Sequence, residues 1–198
     1  MIIANALVAK CPHCNGNKEL IRLLSGNNMG EEHWSDTRSI AVMLPTPSPV
    51  QKCPHCGHYY LLDKVDTCKG TELSTEEGWL TFPEAIDALR ESRSWNLSNE
   101  ERFVMLLIVI WAFNDYARFG KDATNEEQVL VNEIIKEILP LAKDILFKAE
   151  LLREMGEFKL CIDAINTFFV ENDIQQKIVD SITNLAEKKD RRVFKLSL

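Results

Sequence analysis

Two copies of one tetrapeptide concentrate the chemistry of this chain: Cys11-Pro12-His13-Cys14 and Cys53-Pro54-His55-Cys56. Two residues between cysteines let both sulfurs face one point, while the intervening turn aims backbone N–H groups at the thiolates. Each tetrapeptide is therefore half of a tetrahedral metal site. The residue after such a turn often takes positive φ, and the first copy is followed by Asn15-Gly16 and the second by Gly57, the types that tolerate it. Cys11, Cys14, Cys53 and Cys56 are thus the candidate ligands of one metal ion. Zinc is the expected ion, and iron uses the same four thiolates, so residue types alone do not separate the two.

A Cys-Pro-His-Cys run also serves thiol-disulfide oxidoreductases, where the first thiolate sits exposed at a helix N-terminus. Neither copy here opens an amphipathic helix: the first runs into Asn15-Gly16-Asn17 and the second into Gly57-His58-Tyr59-Tyr60. Structural metal therefore leads over redox catalysis. Ile2 to Ala9 has no basic region before it and reads as a strand rather than a secretory signal, which disfavours structural disulfides and points to a cytoplasmic protein.

The paired motif resembles the zinc ribbon and rubredoxin-like group, in which two such turns at the tips of short hairpins clamp one metal. That resemblance covers residues 11–56, within the first third of the chain, and it implies a metal site and no activity. The two turns are separated by 38 residues, more than the ~15–20 of compact zinc sites, so the insert must carry structure of its own. Its order, Ser25-Gly26-Asn27-Asn28, Trp34-Ser35-Asp36 and Met43-Leu44-Pro45, is similar to uncharacterised bacterial proteins that place a ribbon before a helical domain.

The remaining reactive residues carry weaker signals. Cys68 is either a fifth thiol near the metal or a small buried hydrophobe, and the second reading leads; Cys161, within a helical stripe, reads as core. His13 and His55 lie between ligands and point outward, and His58 is a spare ligand beside an already closed set. His33, Ser35 and Asp36 name a hydrolase triad but are too close in sequence to converge in its geometry; Trp34-Ser35-Asp36 reads as a turn anchored by an indole. Asn114, Asp115 and Arg118 fall on one face at a helix end. They form either a recognition site beside aromatic walls or a hydrogen-bonded helix end holding a neighbour, and the second reading leads.

The elements that must position these residues follow from composition and period. The chain has 198 residues, 45% hydrophobic and 27% charged, an ordinary globular composition. Residues 1–68 hold six basic and six acidic groups, all four His and five of the six Cys; the net charge of −7 therefore falls entirely on the remainder. Short apolar runs at Leu20–Leu24, Ser39–Leu44 and Tyr59–Leu62 read as strands, and Pro45, Pro47 and Pro49 as an extended approach to the second turn. Beyond residue 71 the period is helical. Capping boxes at Thr81–Glu84, Ser98–Glu101 and Thr124–Glu127 open helices over 82–93, 99–118 and 125–138; Pro140 then restarts the chain for 141–155, 157–170 and 173–188. The helix from Ser98 is apolar on nearly every side and should be central.

The expected architecture is α+β and mainly α: a zinc-ribbon-like β domain over 1–70, then an α-helical bundle over 71–198. Within the bundle, residues 149–165 resemble a single tetratricopeptide helix pair, a Gly ending one helix and an aromatic packing across the turn. The longest apolar run, Phe103 to Phe113, is 11 residues, about half of the ~20 that span a bilayer. No phosphate-binding glycine loop, metalloprotease helix or paired carboxylates appear. Acidity disfavours a phosphate backbone, so the expected function is a non-catalytic interaction or scaffolding protein with a protein partner; nucleic acid is the second partner class.

Overall fold

The computed structural model describes residues 1–196. It is α+β, with small antiparallel sheets and, among the described residues, six α-helices. The chain forms two compact units, Met1–Glu31 with Ile40–Leu97, and Glu32–Ser39 with the chain from Ser98 onward. Composition places the boundary near residue 70, between 1–70 and 71–198. The packing moves it to Leu97/Ser98, because a composition shift marks where the metal chemistry stops, while a unit ends where its apolar faces are covered.

Unit 1 is built on the strand β2 (Asn5–Lys10), which follows a two-residue strand β1 (Ile2–Ile3). β2 is the centre of a three-stranded sheet between β3 (Asn17–Leu20) and β9 (Thr67–Leu73). Its antiparallel register with β3 runs from Leu7↔Leu20 to Lys10↔Asn17, so the first cysteine turn is the tip of this hairpin. β4 (Leu23–Ser25) pairs with β1. The Leu20–Leu24 run therefore divides between two strands, Ile21 and Arg22 lying outside both, and after the two-residue β5 (Glu32–His33) the Ser39–Leu44 run is strand only at its start, as β6 (Ser39–Ile40).

A second hairpin pairs β7 (Val50–Lys52) with β8 (Tyr59–Leu61) and carries the second cysteine turn. All three β8 residues are buried. Ala9, Cys11, Leu20, Cys53 and Tyr60 form one apolar cluster, flanked by Leu7, Leu62 and Val65. The helix α1 (Phe82–Ser92) completes the unit, burying Phe82, Ala85, Ile86, Ala88 and Leu89. Lys52 Nζ on β7 holds its first turn through Glu84 Oε1 at 2.9 Å.

Unit 2 holds α2 (Asn99–Arg118), α3 (Asn125–Ile138), α4 (Ile145–Met155), α5 (Phe158–Ile165) and α6 (Asp173–Glu187). The boxes at Ser98 and Thr124 are formed: Glu101 N and Glu127 N donate to the hydroxyls, and Ser98 N and Thr124 N donate back to the carboxylates. α2 is rich in β-branched residues of modest helix propensity. Burial sustains it, since Met105 to Ile110 are buried without a break.

α4 begins four residues later than Pro140 suggests, because the Asp144 carboxylate accepts from Phe147 N at 2.7 Å and caps it there. It ends at Gly156, φ +91°, and α5 returns against it. α5 stops at Ile165 rather than near 170. Ala149, Cys161, Ile165, Ile182 and Ala186 make the core of α4, α5 and α6. Among the described residues no helix is long and apolar enough to cross a membrane.

Candidate metal centre

The two cysteine turns have the same backbone. Cys11 N donates to Gly16 O at 2.9 Å and Cys53 N to His58 O at 2.8 Å; Asn15 N donates to Cys11 O at 2.9 Å and Gly57 N to Cys53 O at 3.0 Å. Asn15 has φ +60° and Gly57 φ +78°, the left-handed residue expected after each turn. Gly16 serves a different need: a Cβ there would stand 2.4 Å from His55 Cδ2. The two turns approach that closely, and His55 Nε2 bridges them to Asn17 O at 3.0 Å.

All four sulfurs lie within 4.8 Å of one another. Cys11 Sγ is 3.7 Å from Cys56 Sγ, and Cys14 Sγ is 3.6 Å from Cys53 Sγ. These pairs share no atom, so they are opposite edges of a tetrahedron, and a metal–sulfur bond of ~2.3 Å requires edges of about 3.8 Å. The cluster therefore fits one metal ion. A disulfide needs ~2.05 Å, and all six cysteines are free thiols.

Cys11 and Cys53 are buried while Cys14 and Cys56 are exposed. Each turn thus buries its first cysteine, the reverse of an oxidoreductase, whose first thiolate is exposed. Gly16 N and His55 N each point at a sulfur, those of Cys14 and Cys53, at 3.4 Å.

The electrostatics ask for a cation. Burial raises the Cys53 thiol, but the amides of Cys56 and His55 outweigh it and hold it at about 6. The His58 amide lowers Cys56, yet burial and the neighbouring thiols Cys14, Cys53 and Cys11 push it up to about 12. The Gly16 amide lowers Cys14, and again burial with Cys53 and Cys11 leaves it raised. One thiolate forms readily and then opposes the next. A metal cation held by the four sulfurs would convert that repulsion into coordination and displace the remaining protons.

Cys68 is not a fifth member. It sits on β9 opposite Val8 and is exposed, which corrects its reading as a buried hydrophobe: β9 is a sheet edge whose residues are nearly all open to solvent. Cys161 is core, its thiol pushed up to about 11 by burial. His13 and His58 lie outside the sulfur group, and their rings stack at 4.3 Å.

In unit 2 the Asn114, Asp115 and Arg118 group is a structural helix end. Asn114 Nδ2 donates to Asp36 Oδ2 at 2.9 Å and to Glu154 Oε2 at 3.0 Å. Arg118 pairs with Asp36, both side chains almost wholly buried, and also donates to Asp115 Oδ1 at 2.8 Å. Trp111 Nε1 donates to Asp36 O at 2.9 Å. These bonds fasten Glu32–Ser39 to α2. Ser35 Oγ accepts from Phe194 N at 3.1 Å, and His33 Nδ1 meets Ser39 Oγ at 2.8 Å, so the three triad names serve separate structural bonds.

Glu150, Arg153 and Glu154 extend this network, and sequence reasoning misses them; the spacing of Glu150 and Arg153 is their one local sign. Burial, and then the carboxylates of Glu150 and Asp36, push Glu154 well above its ordinary range, with Asn114 and Arg153 opposing. A raised folded-state value means full stability below the unfolded value of about 4.3 and a loss as pH rises toward the folded one. Glu154→Gln should remove that loss. Its unfolding free energy in urea should match wild type near pH 4 and exceed it at pH 8, by about 1.4 kcal/mol for every tenfold difference in proton affinity that the substitution abolishes; identical pH profiles would refute the assignment.

No family model, curated protein or solved structure matches this chain.

Proposed function

We propose that this is a zinc-ribbon-like interaction protein, in which a four-cysteine zinc ion holds unit 1 in shape and the helices of unit 2 present a surface to a protein partner. The observation that carries it is the closure of the sulfur tetrahedron. Cys11, Cys14, Cys53 and Cys56 would fill every position around the ion and leave none for water or substrate, as a structural rather than catalytic zinc requires. Iron would find the same donors, and colour separates them, since oxidised iron thiolate is red and zinc is colourless.

Unit 2 offers the recess that such a reading needs. A cleft of about 770 Å³ lies between the start of α2 and the Pro140–Phe147 segment, lined by the apolar Phe103, Val104, Pro140, Leu141 and Phe147 together with the charged Glu100, Lys143 and Asp144. The α4–α5 pair, turned at Gly156 with Phe158 packing across it, supports the tetratricopeptide-like reading of 149–165. The test is affinity capture with the full chain beside a mobility shift with mixed DNA and RNA at physiological salt. A protein captured by wild type and lost by Leu141→Glu, with unchanged circular dichroism and no shift of nucleic acid, is the expected result. A salt-sensitive shift with no protein partner would replace this function with nucleic-acid binding.

A further inference from the structure

Two of the three histidines beside the cysteine turns, His13 and His58, meet a carboxylate on α1. His13 Nε2 lies 3.9 Å and His58 Nδ1 3.0 Å from the same atom, Glu91 Oε1, and the three donor atoms fall within 4.8 Å of one another. We propose that His13, His58 and Glu91 form a second metal site, which takes an exchangeable divalent transition-metal ion through two imidazole nitrogens and one carboxylate oxygen.

Donor chemistry, spacing and exposure agree on that class of ligand, and the stacked rings of His13 and His58 turn on binding, since an ion lies in the plane of each imidazole it bonds. Two imidazoles with one carboxylate suit zinc, cobalt, nickel or copper rather than magnesium or calcium. Bonds of ~2.0–2.2 Å place tetrahedral donors about 3.4 Å apart, and the two separations from Glu91 bracket that edge. The side chains of His13, His58 and Glu91 are 39%, 51% and 26% exposed. Water can therefore complete the coordination, which makes this an open site where the thiol cluster is a closed one. Among the described residues the only ionisable partners of Glu91 are these two imidazoles, so no Lys or Arg already neutralises it.

The carboxylate is also held in place. Glu91 lies in the last turn of α1, two residues beyond the buried Leu89, and Tyr59 N donates to the same Oε1 at 3.4 Å. The proposal rests on the four-thiolate reading in one respect: His13 lies between Cys11 and Cys14 and His58 two residues after Cys56, so that ion would fix the spacing of the imidazoles. Four thiolates around a divalent ion carry a formal −2 charge, which draws a second cation to the adjoining turns.

The test uses the full chain as isolated. Its tightly held metal is counted first by elemental analysis, and the protein is then titrated with Co²⁺, followed by calorimetry and absorption. The expected result is one further equivalent per chain whose spectrum lacks sulfur-to-cobalt charge transfer. His58→Ala and Glu91→Gln should each weaken it at least tenfold while the tight metal count stays at one; Glu91→Gln keeps the size of the side chain and an oxygen for Tyr59 N. No second equivalent, an equivalent unchanged in both variants, or one that shows charge transfer would overturn the proposal. A tight count of zero with no sulfur-to-cobalt charge transfer at any cobalt level overturns the four-thiolate reading instead, and the response of the charge-transfer-free cobalt step to the two variants still decides this one.

Discussion

Cys53→Ser should strip the chain of its tight metal and unfold the tips of both hairpins in unit 1 while α2 to α6 persist. Cys53 is one of the two buried sulfurs, and it packs with Ala9, Leu20 and Tyr60 as well as facing Cys14. Its loss therefore opens the coordination shell and the core together. Binding of a structural zinc is worth on the order of 10–16 kcal/mol in zinc-finger peptides, far above the few kcal/mol that a core as small as that of Ala9, Cys11, Leu20, Cys53 and Tyr60 could supply alone. α1 should fail with the two hairpins, because its buried Phe82, Ala85, Ile86, Ala88 and Leu89 belong to the core of the same unit. A strong chelator should act as the variant does, releasing four thiols to titration and costing the helical signal of α1's 11 residues. Complete loss of helix on chelation would mean that the two units share one cooperative core, and retention of metal by Cys53→Ser would remove that residue from the site.

Asp36→Ala should destabilise unit 2 by roughly 3–5 kcal/mol, the usual cost of leaving one member of a buried ion pair alone. Arg118 would keep its bonds to Trp111 O and Asp115 Oδ1 but lose the carboxylate it was buried against, and Asn114 would lose one of its two acceptors. The Trp111 bond goes to the Asp36 backbone and survives, so the variant should remain folded and measurable by urea denaturation. The double variant Asp36→Ala/Arg118→Met should recover part of the deficit, because it removes the orphaned charge. A single-variant cost below about 1 kcal/mol, in the range of exposed pairs, would show that Glu32–Ser39 is not fastened to α2 in solution.

The candidate site was legible because its chemistry is local. Each Cys-Pro-His-Cys turn specifies its own hydrogen bonds and its left-handed residue, Asn15 or Gly57, within six positions, so two matched turns announced themselves without any knowledge of the fold. The capping boxes at Ser98 and Thr124 were legible for the same reason, as was Cys161 on its helical stripe. Pro140 misled because its restriction on the backbone says only that α3 must end, while Asp144, with its carboxylate on Phe147 N, decides where α4 begins.

Other features depend on residues far apart in the chain. Asp36 meets Arg118 across 82 positions and Asn114 across 78, and nothing near Trp34-Ser35-Asp36 says that an insert between two metal turns should pack with helices. Glu91 could not be joined to His13 and His58 until α1 was seen to lie with the two cysteine hairpins. By itself the sequence determined that four thiols would be presented in two like turns, where the helices of the second half begin, and that its net acidity falls beyond residue 68, since each depends on residue types within a turn or two. The tertiary structure decided which units those elements join, that Asn114 and Arg118 are fasteners rather than a recognition site, and that two spare histidines share a carboxylate. The reason is physical: burial and charge pairing are set by what lies across space, and only the folded chain brings those partners together.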